Sequence, residues 1–251
     1  MISLEKIPQL VVHYGCRIPL RTELKPTERE SLKALLQEIN QEHFQIFQMD
    51  SQSMAGMGLG MAGQSPGLFT VFRQYPMQGG AIATAPTLVI LPDSITISAL
   101  IKAGESFYTT SRDIQSKEQD QKMRDVMFRI SDVIKGLKYT RAGKVYELVV
   151  PVSPDQKETF LKKILAEPST DIAEVVLVLT KIQAVSGKTL NINTQLRFQQ
   201  MKLEDPFIVN IKVDINNRDL QTSMEPRDVD SVWKSANSVI ESHLENLLIT
   251  G

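Results

Sequence analysis

Three stretches of this chain spell motifs that can carry chemistry, and each can be judged on mechanism. Gly63-Gln64-Ser65-Pro66-Gly67 matches G-x-S-x-G, the elbow that presents a serine nucleophile. That elbow needs a strand before it, a helix after it, and the backbone N–H behind the serine to hold an oxyanion. Pro66 has no N–H, a glycine-rich stretch precedes it and a strand-like run follows, so acyl chemistry is rejected. Gly58-Leu59-Gly60-Met61-Ala62-Gly63 matches G-x-G-x-x-G. The dinucleotide form must open a helix that meets the pyrophosphate, with an acidic residue about 20 positions on. Ser65-Pro66-Gly67 cannot supply that helix, and the acidic position falls among Gly80 to Thr84. Ser186-Gly187-Lys188-Thr189 ends like a phosphate-binding loop, but Ile182 stands where the first glycine belongs. Strand-like runs flank it, so it reads as a hairpin turn with a solvated Lys188.

The histidines offer no centre either. His13 and His43 lack ligand spacing to each other or to a carboxylate pair, and His243 sits on the apolar stripe of a helix. Cys16 is the only cysteine, which rules out an intrachain disulfide and a cysteine metal cluster. It reads as a buried small apolar residue. No catalytic residue, metal site or cofactor is expected. What remains is a set of amides and cations on rigid strands, Asn191, Asn193, Gln195, Arg197, Asn210 and Lys212, which can hydrogen-bond a macromolecule or a ligand. A plain solvated face is the competing reading.

The elements that position this set are best marked in the last eighty residues. Leu190, Ile192, Thr194, Leu196 and Phe198 alternate with Asn191, Asn193, Gln195, Arg197 and Gln199, the period of two of a half-buried strand. Phe207, Val209, Ile211, Val213 and Ile215 repeat it against Ile208, Asn210, Lys212, Asp214 and Asn216. Val175 to Leu179 is apolar at both parities, which predicts a central strand covered on both faces. A helix from about Asp228 to Ile249 carries Val232, Trp233, Ala236, Val239, Ile240, His243, Leu244 and Leu247 along one stripe.

Earlier in the chain, Val12, Tyr14, Cys16, Ile18 and Leu20 share one face of a first strand. Pro26 opens a helix in which Thr27 and Glu30 form the S/T-x-x-E capping pattern. Residues 50–67 are rich in glycine and methionine and read as a mobile loop. Strands follow over Leu68 to Tyr75, Ala81 to Leu91 and Ser94 to Ile101. A second long helix from about Ser116 has Met123, Val126, Met127, Ile130, Val133, Ile134 and Leu137 on one side and stops at Gly136. Tyr146, Leu148, Val150 and Val152 begin the pattern again, and Ser153-Pro154 starts a short helix with Phe160, Leu161, Ile164 and Leu165.

The expected fold class is therefore α+β: two similar halves, each strand, helix, strands, long helix, with one wide antiparallel sheet and the helices on one face. The halves are 1–138 and 139–251, packed as one unit and related by an ancient duplication. The chain is 42% hydrophobic and 23% charged with net charge −1, which suits a globular protein and weighs against indiscriminate nucleic-acid binding. Glu5 and Pro8 interrupt the apolar start, and no apolar run reaches the ~20 residues of a membrane span, so a cytoplasmic protein without membrane partners is expected.

GLKYTRAGKVYELVV (Gly136 to Val150) and VWKSANSVIESHLENLLITG (Val232 to Gly251) resemble a sporadically distributed, uncharacterised family of bacterial proteins of about this length. The resemblance implies the order of elements and brings no catalytic residues. The functional expectation is a non-catalytic macromolecular interaction protein, an accessory or regulatory component of a bacterial operon, with a protein partner or self-association. The alternatives are a small-ligand-binding protein or enzyme with its site between sheet and helices, and selective nucleic-acid binding on the polar sheet face.

Overall fold

A computed structural model describes residues 9–43, 46–48, 68–76, 82–102, 114–153, 158, 162, 174–199, 207–219 and 223–248. Nine strands and three long helices are described among them. The strands are β1 (Gln9–Arg17), β2 (Ile46–Gln48), β3 (Phe69–Pro76), β4 (Ile82–Ile90), β5 (Ser94–Lys102), β6 (Arg141–Val152), β7 (Glu174–Val185), β8 (Lys188–Gln199) and β9 (Phe207–Asn217). The helices are α1 (Pro26–His43), α2 (Lys117–Val133) and α3 (Pro226–Leu248). The glycine- and methionine-rich stretch and most of the expected helix after Ser153 lie outside the described residues.

All nine strands form one antiparallel sheet in the order β2-β3-β4-β5-β1-β6-β9-β8-β7. The α+β architecture read from the sequence is the one observed. Each half places its first strand beside its last, and the two first strands, β1 and β6, pair with each other at the junction.

The period of two decides which face is dry. Leu190, Ile192, Thr194, Leu196 and Phe198 of β8 are buried, as are Val209, Ile211, Val213 and Ile215 of β9. Tyr146, Leu148, Val150 and Val152 of β6 join Leu10, Val12, Tyr14 and Cys16 of β1 in the same core. Helix α3 lies across β6 and β9 and touches α2, which in turn touches α1. Val229, Val232, Trp233, Ala236, Ile240 and Leu244 of α3 are buried, so its apolar stripe faces the sheet. Complete burial of each such valine, isoleucine or leucine side chain contributes about 1.5–3 kcal/mol.

The starts of α1 and α3 share one device. Pro26 and Pro226 open α1 and α3, where a missing N–H costs nothing. Two residues on, an acid reaches back to the residue ahead of the proline: the Lys25 N–H donates to Glu28 Oε2 at 2.9 Å, and the Glu225 N–H to Asp228 Oδ2 at 3.1 Å. The carboxylate that caps α1 is therefore Glu28, held also by Arg21, and not Glu30, which pairs with Lys33 in solvent. With Pro26 as the first helical residue, the helix starts two residues earlier than a Thr27 cap implies, and the capping acid moves with it from Glu30 to Glu28. Ser116 caps α2, accepting the Gln119 N–H at 3.2 Å. Gly136 and the Ser186-Gly187 hairpin turn have positive φ, the conformation for which glycine is suited.

Two expectations from apolar patterning are corrected. Val175–Leu179 belongs to β7, which is the outermost strand of the sheet and not a central one. Val176 is 51% exposed and Val178 66%. Doubly apolar composition marks a strand without a polar face, and topology alone decides whether anything covers it. Leu20 lies beyond the end of β1 and is exposed, because the chain has already turned toward α1.

At the junction Gly143 of β6 permits close approach to β9. A Cβ there would meet Asn216 Cβ at 2.6 Å and the Ile215 carbonyl oxygen at 2.7 Å. Its pairing partner Gly15 has only Gly143 O near, at 3.9 Å. Gly143→Ala is expected to destabilise by about 1–3 kcal/mol. Gly15→Ala should change stability by less than about 1 kcal/mol. Urea denaturation of both variants checks the contrast, and equal losses would contradict it.

Candidate functional site

Beneath the β1–β6 pairing, on the dry side, lies a polar cluster that periodicity alone does not announce. Lys144 is 1% exposed because it occupies the core-facing parity of β6 between Ala142 and Tyr146. Its ammonium donates to Asp120 Oδ1 of α2 and to Asn237 Oδ1 of α3, the latter at 2.7 Å. Tyr14 OH donates to Asp120 Oδ1 and Tyr146 OH to Asn237 Oδ1, each at 2.9 Å. The Asn237 amide closes the circle by donating to Asp120 Oδ2. Lys144 Nζ also sits 4.6 Å from the centre of the Tyr14 ring, and Trp233 meets that ring edge-on at 5.2 Å.

Burial pushes the Lys144 ammonium down to about 8, and the neighbouring Asp120 carboxylate opposes that fall. The Tyr14 and Tyr146 hydroxyls are pushed far up, chiefly by burial and then by Asp120. Tyr14, Tyr146, Asp120, Lys144 and Asn237 engage one another and so join two strands to two helices, while the buried Trp233 Nε1 has no hydrogen-bond partner among the described residues.

The opposite face is open and carries the residues singled out in the sequence. Gln195, Arg197, Asn210 and Lys212 come together around a shallow depression of about 280 Å³, with Val11 and Glu147 also in its lining. Register places them there: Gln195 pairs with Lys212, Arg197 with Asn210 and Glu147 with Lys212. Asn191 and Asn193 lie further along β8 and are not in that lining. Asn193 accepts a hydrogen bond from Thr180 at 3.2 Å, and Asn191 reaches Asn216 at 3.4 Å. Asn216, at the outward parity, is buried and not solvated: Arg141 donates to its oxygen while its amide donates to Asp214 at 2.8 Å.

A relay of polar side chains on this face includes His13. Its Nδ1 is 2.7 Å from Ser98 Oγ, and its Nε2 is 3.4 Å from Glu147 Oε2. Lys212 Nζ binds the other oxygen of Glu147 at 2.8 Å, so the relay crosses β5, β1, β6 and β9. Serine, histidine and glutamate are the members of a hydrolytic triad, but there the serine engages Nε2 and the acid Nδ1. The nitrogens are reversed here, and Lys212 shares the acid. Contact with His13 and Lys212 holds the Glu147 carboxyl down at about 2 against the opposing effect of burial.

His243, expected on the apolar stripe, bonds through Nε2 to Thr194 Oγ1 at 2.7 Å, with its pKa lowered by burial and then by Lys181. It therefore serves the helix–sheet interface. Among the described residues, no group of acids, histidines and cysteine gathers as a metal site. Among the described residues, no helix is long and apolar enough to cross a membrane. No protein family, curated protein or solved structure matches the chain.

Two predictions follow from these arrangements. Lys144→Met is expected to cost about 3–5 kcal/mol, because it leaves the Asp120 carboxylate buried without its counter-charge. Adding Asp120→Leu should recover part of that loss; strictly additive losses in urea denaturation would contradict the coupling. The second concerns acid. The folded pKa of Glu147 is lowered, so its stabilisation is complete above about 4.5 and is lost as pH falls toward about 2. Because the carboxylate is partly exposed, the effect should stay below about 1 kcal/mol. Glu147→Gln should flatten the stability profile across that window, and an unchanged profile would contradict the assignment.

Proposed function

We propose that this chain is a non-catalytic interaction protein that holds a segment of another protein on its open sheet face. The observation that carries the reading is the depression where Gln195, Arg197, Asn210 and Lys212 converge on rigid paired strands. Carboxamides donate and accept hydrogen bonds together, which matches the alternating N–H and C=O groups of a peptide backbone. Val11 adds an apolar side chain, and the exposed Val176 and Val178 continue that character to the rim of the sheet. The charges are locally matched, Arg197 with Glu174 at 2.6 Å and Lys212 with Glu147 at 2.8 Å. Such a surface favours contact by shape and hydrogen bonding over long-range attraction to a polyanion.

The same proposal makes the chain an accessory or regulatory component of a bacterial operon, acting in the cytoplasm and akin to the family its mid-chain strand and last helix resemble. The matching strand orders support an ancient duplication of 1–138 and 139–251.

The test is capture of partners from the native host's lysate, with Arg197→Ala combined with Asn210→Ala as the variant. Stability should change by about 0.5 kcal/mol or less, since both side chains face outward. Loss of a protein captured by the unaltered chain is the expected result. Undiminished capture would remove this face from the account.

A further inference from the structure

Among the described residues, the outer edge of β7 is left without a partner strand. The strand pairs with β8 through twelve successive residues, Glu174 to Val185, with no register shift. No described strand pairs with its other edge. Natural sheets blunt such edges with proline, bulges or several charges. β7 has no proline and no bulge, and its only charged residues are Glu174, already held by Arg197, and Lys181. It exposes Val176, Val178, Leu179 and Ile182 instead. Val176, Val178 and Ile182 share the open face with Arg197, Gln195 and Asn191, whereas Leu179 lies on the helix side opposite Thr194.

We infer that β7 pairs antiparallel with β7 of a second copy of this chain, in the register that sets Leu179 opposite Leu179. Three observations select this occupant and this register. First, a two-fold axis at Leu179 places Val176 opposite Ile182 and Val178 opposite Thr180, so the exposed apolar side chains meet apolar or β-branched partners. Second, opposed residues have equal parity, so both copies keep their helices on the same side and the open faces run on as one. Third, the charges are compatible. Each Lys181 faces Leu177 of the other copy, and the two ammonium groups stay roughly 13 Å apart along the strand, four residues at ~3.3 Å each. Centring the axis one residue earlier, on Val178, would instead set Ile182 against Glu174. The strand is self-complementary about Leu179, and that property fits a second copy better than an unrelated strand.

This pairing does not depend on what the open face binds, and its test is separate. Leu179→Cys should form an intermolecular disulfide under mild oxidation, because directly opposed residues have Cα atoms ~4.5–5.5 Å apart, within disulfide reach. Val176→Cys should not, since its two copies would lie six residues out of register. Cys16 is buried and does not compete. Sedimentation of the full chain should give a concentration-dependent dimer. Val178→Lys sets two ammonium groups diagonally across the axis and should weaken dimerisation about tenfold or more while leaving the melting temperature of the monomer unchanged. A monomer at every concentration would overturn the inference. Equal cross-linking by Leu179→Cys and Val176→Cys would overturn the register, and a dimer indifferent to Val178→Lys would overturn the edge.

Discussion

The structure depends on the junction between β1 and β6, where backbone pairing and a buried ion pair act on the same strands. Nine consecutive residue pairs join the strands, from Gln9 opposite Val149 to Arg17 opposite Arg141. Directly beneath, Lys144 is bound to Asp120 of α2 and Asn237 of α3. A buried cation tolerates few arrangements, because removing its counter-charge costs several kcal/mol. The sheet order and the helix order are thus tied at one place. If β6 slid by one residue, Lys144 would leave its carboxylate and every apolar side chain of the strand would change face.

From that constraint comes the division of labour between the two faces. The dry face is filled by three helices and closed over its own charges, with Tyr14, Tyr146, Asp120, Lys144 and Asn237 satisfying one another. The open face has no covering helix among the described residues. It presents a lattice of amides and matched charges whose spacing is set by the strands beneath. Rigid strands hold such groups with less entropy to lose on binding than a loop would, which suits a recognition surface. The edge of β7, unpaired among the described residues, borders that lattice, so a neighbouring copy would lengthen the face without altering it.

Much of this was legible in the sequence because the pleat imposes a period that no other element shares. Leu190 to Gln199 and Val209 to Ile215 could be assigned to faces residue by residue, and the long helices by their stripes. The place of β7 was not legible. A strand apolar at both parities reads the same whether it is central or terminal, since coverage is a property of the whole fold. The polar cluster left a trace that pattern reading passed over: Lys144 is a charged residue at the core parity of its strand, and Asn237 lies four residues after Trp233 on α3. Asp120, on α2, has no local mark at all. The His13 relay joins Ser98 and Glu147 across three strands, and only register brings them within reach. Four of the six residues proposed for binding came together because they share adjacent strands and one parity. Asn191 and Asn193 fell outside the depression because a strand extends past any local hollow.

The central claim is that the junction makes the two halves one cooperative body. Native-state hydrogen exchange tests it most directly, through the amides of Tyr14 in β1, Lys144 in β6 and Leu196 in β8. The account predicts that all three exchange only through complete unfolding, with one shared opening free energy equal to the global stability. Faster, separate opening at Tyr14 and Lys144, with Leu196 still protected, would mean that the halves come apart at the junction and would contradict it.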